Sequence, residues 1–189
     1  MSVLKLRVVL TALGLSLAAP GCGDPCKPQA KACPVLPNPP AKVPIDLAGM
    51  LAGFEGGGKG KGTFTVPVLG ELGVTVDCSD LKIEKDTPEK GSTKVTGKCK
   101  FSKFGLGGTA DLELVIDKDG KGHIAATGTS DFGDINVWVE IKSGVQAGQT
   151  ITVSAEANGQ CFTATLKRDG DKLIGEATDP KTKIEIGKK

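Results

Sequence analysis

The chain has 189 residues, with 24 basic and 22 acidic side chains and a formal net charge of +2. Its basic residues are scattered along the sequence, which argues against a nucleic-acid partner, because such a partner calls for a basic face. There is no tyrosine, one tryptophan and one histidine, whereas small and β-branched residues dominate the apolar positions, a composition that favours strands over helices.

The N-terminus is typical of a secretory leader. Lys5 and Arg7 precede the uncharged run from Val8 to Ala19, and small residues follow at the expected cleavage point. The run is too short to span a bilayer, which needs roughly 20 apolar residues. The sequence therefore predicts a signal peptide over residues 1–21. Its removal takes away two basic residues and no acidic one, so the mature chain, which begins at Cys22, is formally neutral.

The end of this leader resembles the lipobox of bacterial lipoproteins, in which small residues precede a cysteine that is lipidated and becomes the new N-terminus. The matching residues are Ala19-Pro20-Gly21-Cys22. The resemblance implies a lipid anchor at Cys22 and attachment to the bacterial cell envelope, and Gly23 implies the outer membrane. Several acyl chains together hold a protein stably on a membrane. The alternative is a secreted or periplasmic protein in which Cys22 is not lipidated and all six cysteines can pair.

A proline-rich segment follows the predicted cleavage site. Residues 22–45 contain seven of the eleven prolines in the chain. Proline at this density is typical of an extended, semi-rigid spacer, because each ring restricts the backbone and removes a hydrogen-bond donor. The sequence therefore predicts a tether over residues 22–45, which would hold the rest of the protein away from the membrane.

A short helix and a glycine-rich hinge are predicted over residues 46–62. Apolar residues recur there at a spacing of three and four, which places them on one helical face, and Asp46 can cap the start of the helix. We expect this face to pack against the open end of a sheet, as a lid or a contact surface. Its four apolar residues are Leu47, Met50, Leu51 and Phe54.

Residues 63–189 show the alternation of apolar and polar residues that is typical of strands with one wet face. Pairs such as Asn158-Gly159 and Asp169-Gly170 separate the strands and are typical of tight hairpin turns. The pattern predicts an all-β domain, an antiparallel meander of about ten strands. We expect it to form a closed or nearly closed barrel, because closure removes unpaired edges. A two-layer β-sandwich is the alternative.

The cysteines can be assigned from the faces of the predicted strands. Cys78 and Cys99 both fall on inward faces, which predicts a disulfide between them. Cys161 falls on the polar face, so its partner is expected from the tether, which offers Cys26 or Cys33. Disulfides persist in the compartments that secreted proteins reach. The cysteines form no CxxC motif and the chain lacks a histidine cluster, so no metal site is predicted, and no cofactor either.

The sequence predicts no catalytic residues. His123 is interpreted as an exposed residue beside a turn. Trp138 falls on the polar face of its strand, where it is either a contact surface or, as we expect, covered by the predicted helix. The leading interpretation is a non-enzymatic, lipid-anchored protein that displays its β domain to an envelope partner. The alternative is a lipocalin-like carrier, with a small apolar ligand held in a cavity left by small inward residues such as Ala164.

Overall fold

The part of the chain that the structure describes forms one short helix and ten antiparallel strands in a closed barrel. The residues that the computed structural model describes are 33–36, 43–66, 70–131, 133–178 and 181–188. The predicted leader, Cys22 and Cys26 lie outside these residues. Across the ranges that are described, no helix has the length and apolar character needed to cross a membrane.

The strands follow one another as a meander. The helix α1 spans Leu47–Leu51. The strands are β1 Gly57–Val66, β2 Gly70–Lys85, β3 Thr93–Lys103, β4 Leu106–Ile116, β5 Gly122–Ser130, β6 Gly133–Ala147, β7 Thr150–Ala157, β8 Gln160–Asp169, β9 Lys172–Thr178 and β10 Lys181–Lys188. Each strand pairs with its chain neighbours, and β1 pairs with β10, which closes the sheet. The predicted antiparallel barrel is therefore confirmed, and the alternative of a sandwich is wrong.

The alternation of each strand separates an apolar interior from a charged exterior. On the outer surface, ion pairs link neighbouring strands: Lys172 Nζ lies 2.7 Å from the Glu185 carboxylate, and Lys183 Nζ lies 3.0 Å from that of Glu176. The interior carries the residues that alternate with these. The buried interior side chains at one end of the barrel include Val95, Ile116, Ile141, Ile151, Val153 and Leu173.

The glycine-rich stretch after the helix forms strand β1, so the structure differs from the predicted hinge over residues 56–62. The barrel begins at Gly57 instead of residue 63. Glycines alternate with lysines in this strand, and Lys59 Nζ reaches the Asp77 carboxylate on the outer surface at 3.3 Å. A Cβ atom at Gly60 would collide with the carbonyl oxygen of Glu185 on β10. Glycine is required here because β1 and β10 approach closely where the barrel closes.

The helix α1 lies inside one end of the barrel. Asp46 caps it, as predicted, by accepting a hydrogen bond of 2.8 Å from the backbone N–H of Gly49. Leu47, Met50 and Phe54 are almost fully buried and pack against the interior side chains at that end. We call α1 together with Phe54 the plug. The end of the barrel that it fills is the plug end. The opposite end, which carries the turns at residues 104–105 and 158–159, is the far end.

Part of the predicted tether is packed on the barrel. Cys33 forms a disulfide with Cys161, near the far end, and Leu36 is buried. We call residues 33–36 the strap. The strap covers the outer wall at Ser154, which explains why this outward-facing hydroxyl is buried. At the plug end the backbone N–H of Ile45 donates to the carbonyl oxygen of Lys118 at 3.3 Å. The prediction of a spacer over all of residues 22–45 is therefore too long, because residues 33–36 and Ile45 contact the barrel.

Candidate binding surfaces

Trp138 lies on the outer wall of the barrel, on β6, and its side chain is 58% exposed. Its neighbours along the strand, Val137 and Val139, point inward, and it pairs with Ala125 on β5. The expectation that the helix covers Trp138 is wrong, because α1 lies inside the barrel and Trp138 lies outside. Tryptophan is enriched among the residues that dominate binding energy at protein interfaces, so Trp138 is a candidate centre of a contact surface.

His123 holds one face of this tryptophan. The two rings are stacked, with centroids 4.4 Å apart and planes at 16°. His123 lies beside the turn before β5, as interpreted, but its side chain is only 24% exposed, so the expectation of an exposed residue is wrong. Its Nε2 lies 3.0 Å from Glu113 Oε1, and Glu113 Oε2 accepts from Lys94 Nζ at 2.6 Å. Because an ionised carboxylate only accepts, the Nε2 atom carries the proton. These four side chains, which we call the Trp138 cluster, run across β3, β4, β5 and β6.

A polar groove of about 520 Å³ adjoins the cluster on the outer wall. It includes Glu113 from the cluster and Ala125, whose small side chain lies beside Trp138 in the sheet. The other charged and hydroxyl side chains that line it are Asp80, Lys82, Thr96, Lys98, Asp111 and Thr127. An aromatic anchor with a rim of charged groups has the composition of a protein-binding hot spot. The site therefore offers an apolar contact surface at Trp138, with charged side chains at fixed positions around it.

Acidification should weaken the Trp138 cluster. The contact with the Lys94 ammonium, followed by that with His123, holds the pKa of Glu113 below its usual value of 4.5. A carboxyl group whose pKa is lower in the folded state stabilises the fold above the unfolded pKa, and this stability is lost as the pH falls through the folded pKa. We therefore expect E113Q to be less stable than the parent at pH 7. The difference should shrink as the pH falls below 4.5 in urea unfolding experiments. A difference that stays constant down to pH 3 would contradict this.

Space remains in the interior beyond the plug. Leu114, Ile124 and Leu166 point inward toward the plug end, where they pack against the buried cluster and are only partly buried themselves. Gly175 on β9 also points inward, between Leu173 and Ala177, and a Cβ atom placed on it would meet no atom within 4 Å among the residues that the structure describes. The open space beside Gly175 therefore lies in the interior of the barrel, and we call this region the lumen.

The two disulfides lie on opposite sides of the wall. Cys78 and Cys99 are directly paired across β2 and β3, and both are buried in the interior. The structure thus contains the disulfide that the inward faces of the two strands predict. Cys161 is bonded to Cys33 on the outer face, which is one of the two partners left open by the sequence. Glu156 adjoins these two sulfurs, but disulfide sulfurs are not metal ligands, since the ligand is the thiolate.

The fold and these surfaces define a class of protein: a closed ten-stranded antiparallel barrel with an internal plug, an interior disulfide and a strap bonded to its outer wall. No protein-family model matches the chain, and no curated protein matches it. The Trp138 cluster and the lumen are the two features whose geometry bears on function.

Proposed function

We propose that this chain is a non-enzymatic, lipid-anchored protein of the bacterial cell envelope, and that its barrel binds a protein partner through the Trp138 cluster. The lipobox-like residues before Cys22 support the anchor, and Gly23 supports the outer membrane. The two disulfides agree with an oxidising compartment. The observation that carries the binding proposal is the exposure of Trp138 in the middle of a charged wall.

The geometry of the cluster suits a rigid anchor for such a partner. An exposed tryptophan loses little conformational freedom on binding when one of its faces is already held, here by the His123 ring. His123 is itself fixed by Glu113, so the free face of Trp138 is presented in one orientation. A partner that covers this face would bury a large apolar area at a low entropic cost.

Site-specific crosslinking in cells tests the binding proposal. A photoreactive side chain at Thr127, in the groove beside the cluster, should form adducts with a discrete partner. The same group at Thr165, on the outer face of β8, is the matched control and should not form them. W138A should abolish the adducts at Thr127 while the circular dichroism of the barrel is unchanged. Adducts that survive W138A would contradict the proposal.

Intact-mass analysis tests the anchor. Mature protein purified from its own cells should begin at Cys22 and carry added acyl mass, and the mass also reports the number of disulfides. An unacylated chain in the water-soluble fraction, with all six cysteines bridged, would overturn the anchored proposal.

The lumen supports a second candidate function, the transport of a small apolar ligand. The open space beside Gly175 and the partly buried interior side chains favour it, because ligand cavities are concave and mostly apolar. Native mass spectrometry of protein from its own cells should then show a noncovalent adduct. Preparations that consistently lack any adduct would contradict this candidate.

Filling the lumen at Gly175 should be tolerated by the fold. G175V should leave the free energy of unfolding unchanged or raise it by up to about 1 kcal/mol, since glycine is unfavourable within a strand. The matched control is G60V, which introduces the same side chain where a Cβ meets the backbone of β10 and should be strongly destabilising. Chemical denaturation of the two variants measures this. Destabilisation of equal size at both positions would show that the space beside Gly175 is already filled.

A further inference from the structure

The hairpin between β3 and β4 ends in an apolar tip at the far end of the barrel. Phe104 is 93% exposed and Leu106 is 49% exposed. Phe104 has a φ of +52° and Gly105 a φ of +80°, so both residues of the turn are in the left-handed region. Asparagine or aspartate is preferred at the first of these positions, and a bulky residue there is unusual.

The hairpin between β7 and β8 gives an internal comparison. Asn158 and Gly159 form the turn at the same end of the barrel, with φ angles of +51° and +77°. The backbone conformation is therefore nearly the same, with the preferred residue in the first position. Turn geometry does not account for an aromatic residue at Phe104, which is both conformationally unfavourable and exposed to water. An outlier of this kind indicates a functional requirement for the side chain.

The end of the barrel that carries Phe104 is also the end from which the chain leads toward Cys22. The Cys33–Cys161 disulfide holds the strap just beyond the Asn158-Gly159 turn, and the chain then runs from Cys33 to the plug end. The segment from Cys22 to Cys33 spans at most about 40 Å when fully extended. A lipid at Cys22 would therefore keep Cys33 at the far end within about 40 Å of the bilayer surface, which puts the lipid within reach of the turns at this end.

We propose that the Phe104 tip inserts into the lipid surface and turns the far end of the barrel toward the membrane. The proposal rests on the anchor proposed above. A tether raises the effective concentration of the tip at the bilayer, so one aromatic residue and its neighbour Leu106 suffice for contact. Lys103, whose Nζ lies 5.1 Å from the centre of the Phe104 ring, adds attraction to anionic headgroups.

Depth-dependent fluorescence quenching tests this contact in the full mature chain. The chain is incorporated into vesicles of phosphatidylethanolamine and phosphatidylglycerol whose acyl chains carry bromine. A W138F/F104W variant has its single tryptophan at the tip. Its emission should shift to the blue and fall by at least about half, because an interfacial side chain lies roughly 5–10 Å into the headgroup and acyl boundary. The parent, with Trp138 on the side wall, is the control and should be little quenched.

A second variant separates insertion from folding. F104N/L106W/W138F recreates the Asn-Gly turn of residues 158–159 and should fold at least as well as the parent. Its quenching should be much weaker than that of L106W/W138F, which keeps Phe104 beside the new tryptophan. Equal quenching in the two chains would overturn the proposed role of Phe104.

The outcomes for the tip and for the anchor are distinguishable. An acylated chain whose tip tryptophan is not quenched overturns the insertion proposal and leaves the anchor intact. An unacylated chain whose tip is quenched on added vesicles overturns the anchor and supports insertion. If the chain is unacylated and the tip is unquenched, both proposals are wrong.

Discussion

Replacing Phe54 by alanine should lower the free energy of unfolding by about 3–5 kcal/mol. Phe54 is the C-terminal residue of the plug. It is 1% exposed and belongs to the buried cluster that lines the plug end. The Arg168 guanidinium lies 5.9 Å from the centre of its ring, and Lys188 Nζ lies 5.5 Å away, so two cations also lose an aromatic partner. The barrel wall is a closed hydrogen-bonded sheet and cannot collapse to fill the space.

Guanidinium unfolding followed by circular dichroism measures the effect, and F104A is the control. That variant removes the same atoms from a phenylalanine that is almost fully exposed, so its stability should stay within about 0.5 kcal/mol of the parent. If F54A and F104A were equally mild, the plug would contribute little to the stability of the barrel. The contrast therefore tests whether α1 is an integral part of the core.

The barrel itself could be predicted because its determinants are local. Alternation of apolar and polar residues sets the face of each strand, and pairs such as Asn158-Gly159 adopt the positive φ angles of tight turns. The predicted inner faces of their strands placed Cys78 and Cys99 in the interior of the barrel, which predicted the disulfide between them. The helix was predicted for the same kind of reason, from a cap at Asp46 and an apolar face with helical spacing.

The glycine-rich first part of β1, residues 57–62, could not be predicted as a strand from composition. Glycine is depleted in strands in general, and the stretch lacks the apolar alternation that marks the other strands. The reason it forms a strand is the tertiary contact with β10, where a side chain at Gly60 would collide with the backbone. The bond from Cys161 to the tether was predicted, but the burial of Leu36 and Ile45 was not, because they are isolated apolar residues in a proline-rich context and the barrel that buries them is distant in sequence.

The Trp138 cluster depends on register, which the sequence indicates only weakly. A short turn between Ser130 and Gly133, which pair across it, sets Ala125 opposite Trp138 and His123 opposite Glu140. With that register, His123 and Trp138 are diagonal neighbours on one face and their rings can reach each other. The signal was therefore present in the turn length, but one residue of slippage would have moved Trp138 to the interior.

The two disulfides should differ in how much they stabilise the fold and in how readily a reductant reaches them. In the chain-entropy description, a crosslink stabilises by restricting the unfolded chain, and more so for a longer loop. Cys33 and Cys161 are 128 residues apart, whereas Cys78 and Cys99 are 21 apart. We expect a loss of about 5 kcal/mol for C33S/C161S and about 3 kcal/mol for C78A/C99A. Both members of each pair are replaced, because a single free thiol could exchange with the other bridge.

Mild reduction should act first on the outer disulfide. Cys33 and Cys161 are partly exposed on the wall, whereas Cys78 and Cys99 are buried behind it and can be attacked only after the barrel opens. Alkylation after timed treatment with dithiothreitol, followed by peptide mass analysis, gives the order. The strap should be released while Trp138 emission, which reports the intact wall, stays constant. Simultaneous loss of both bridges, or earlier loss of Cys78–Cys99, would mean that the plug and the closed wall do not shield the interior from small solutes.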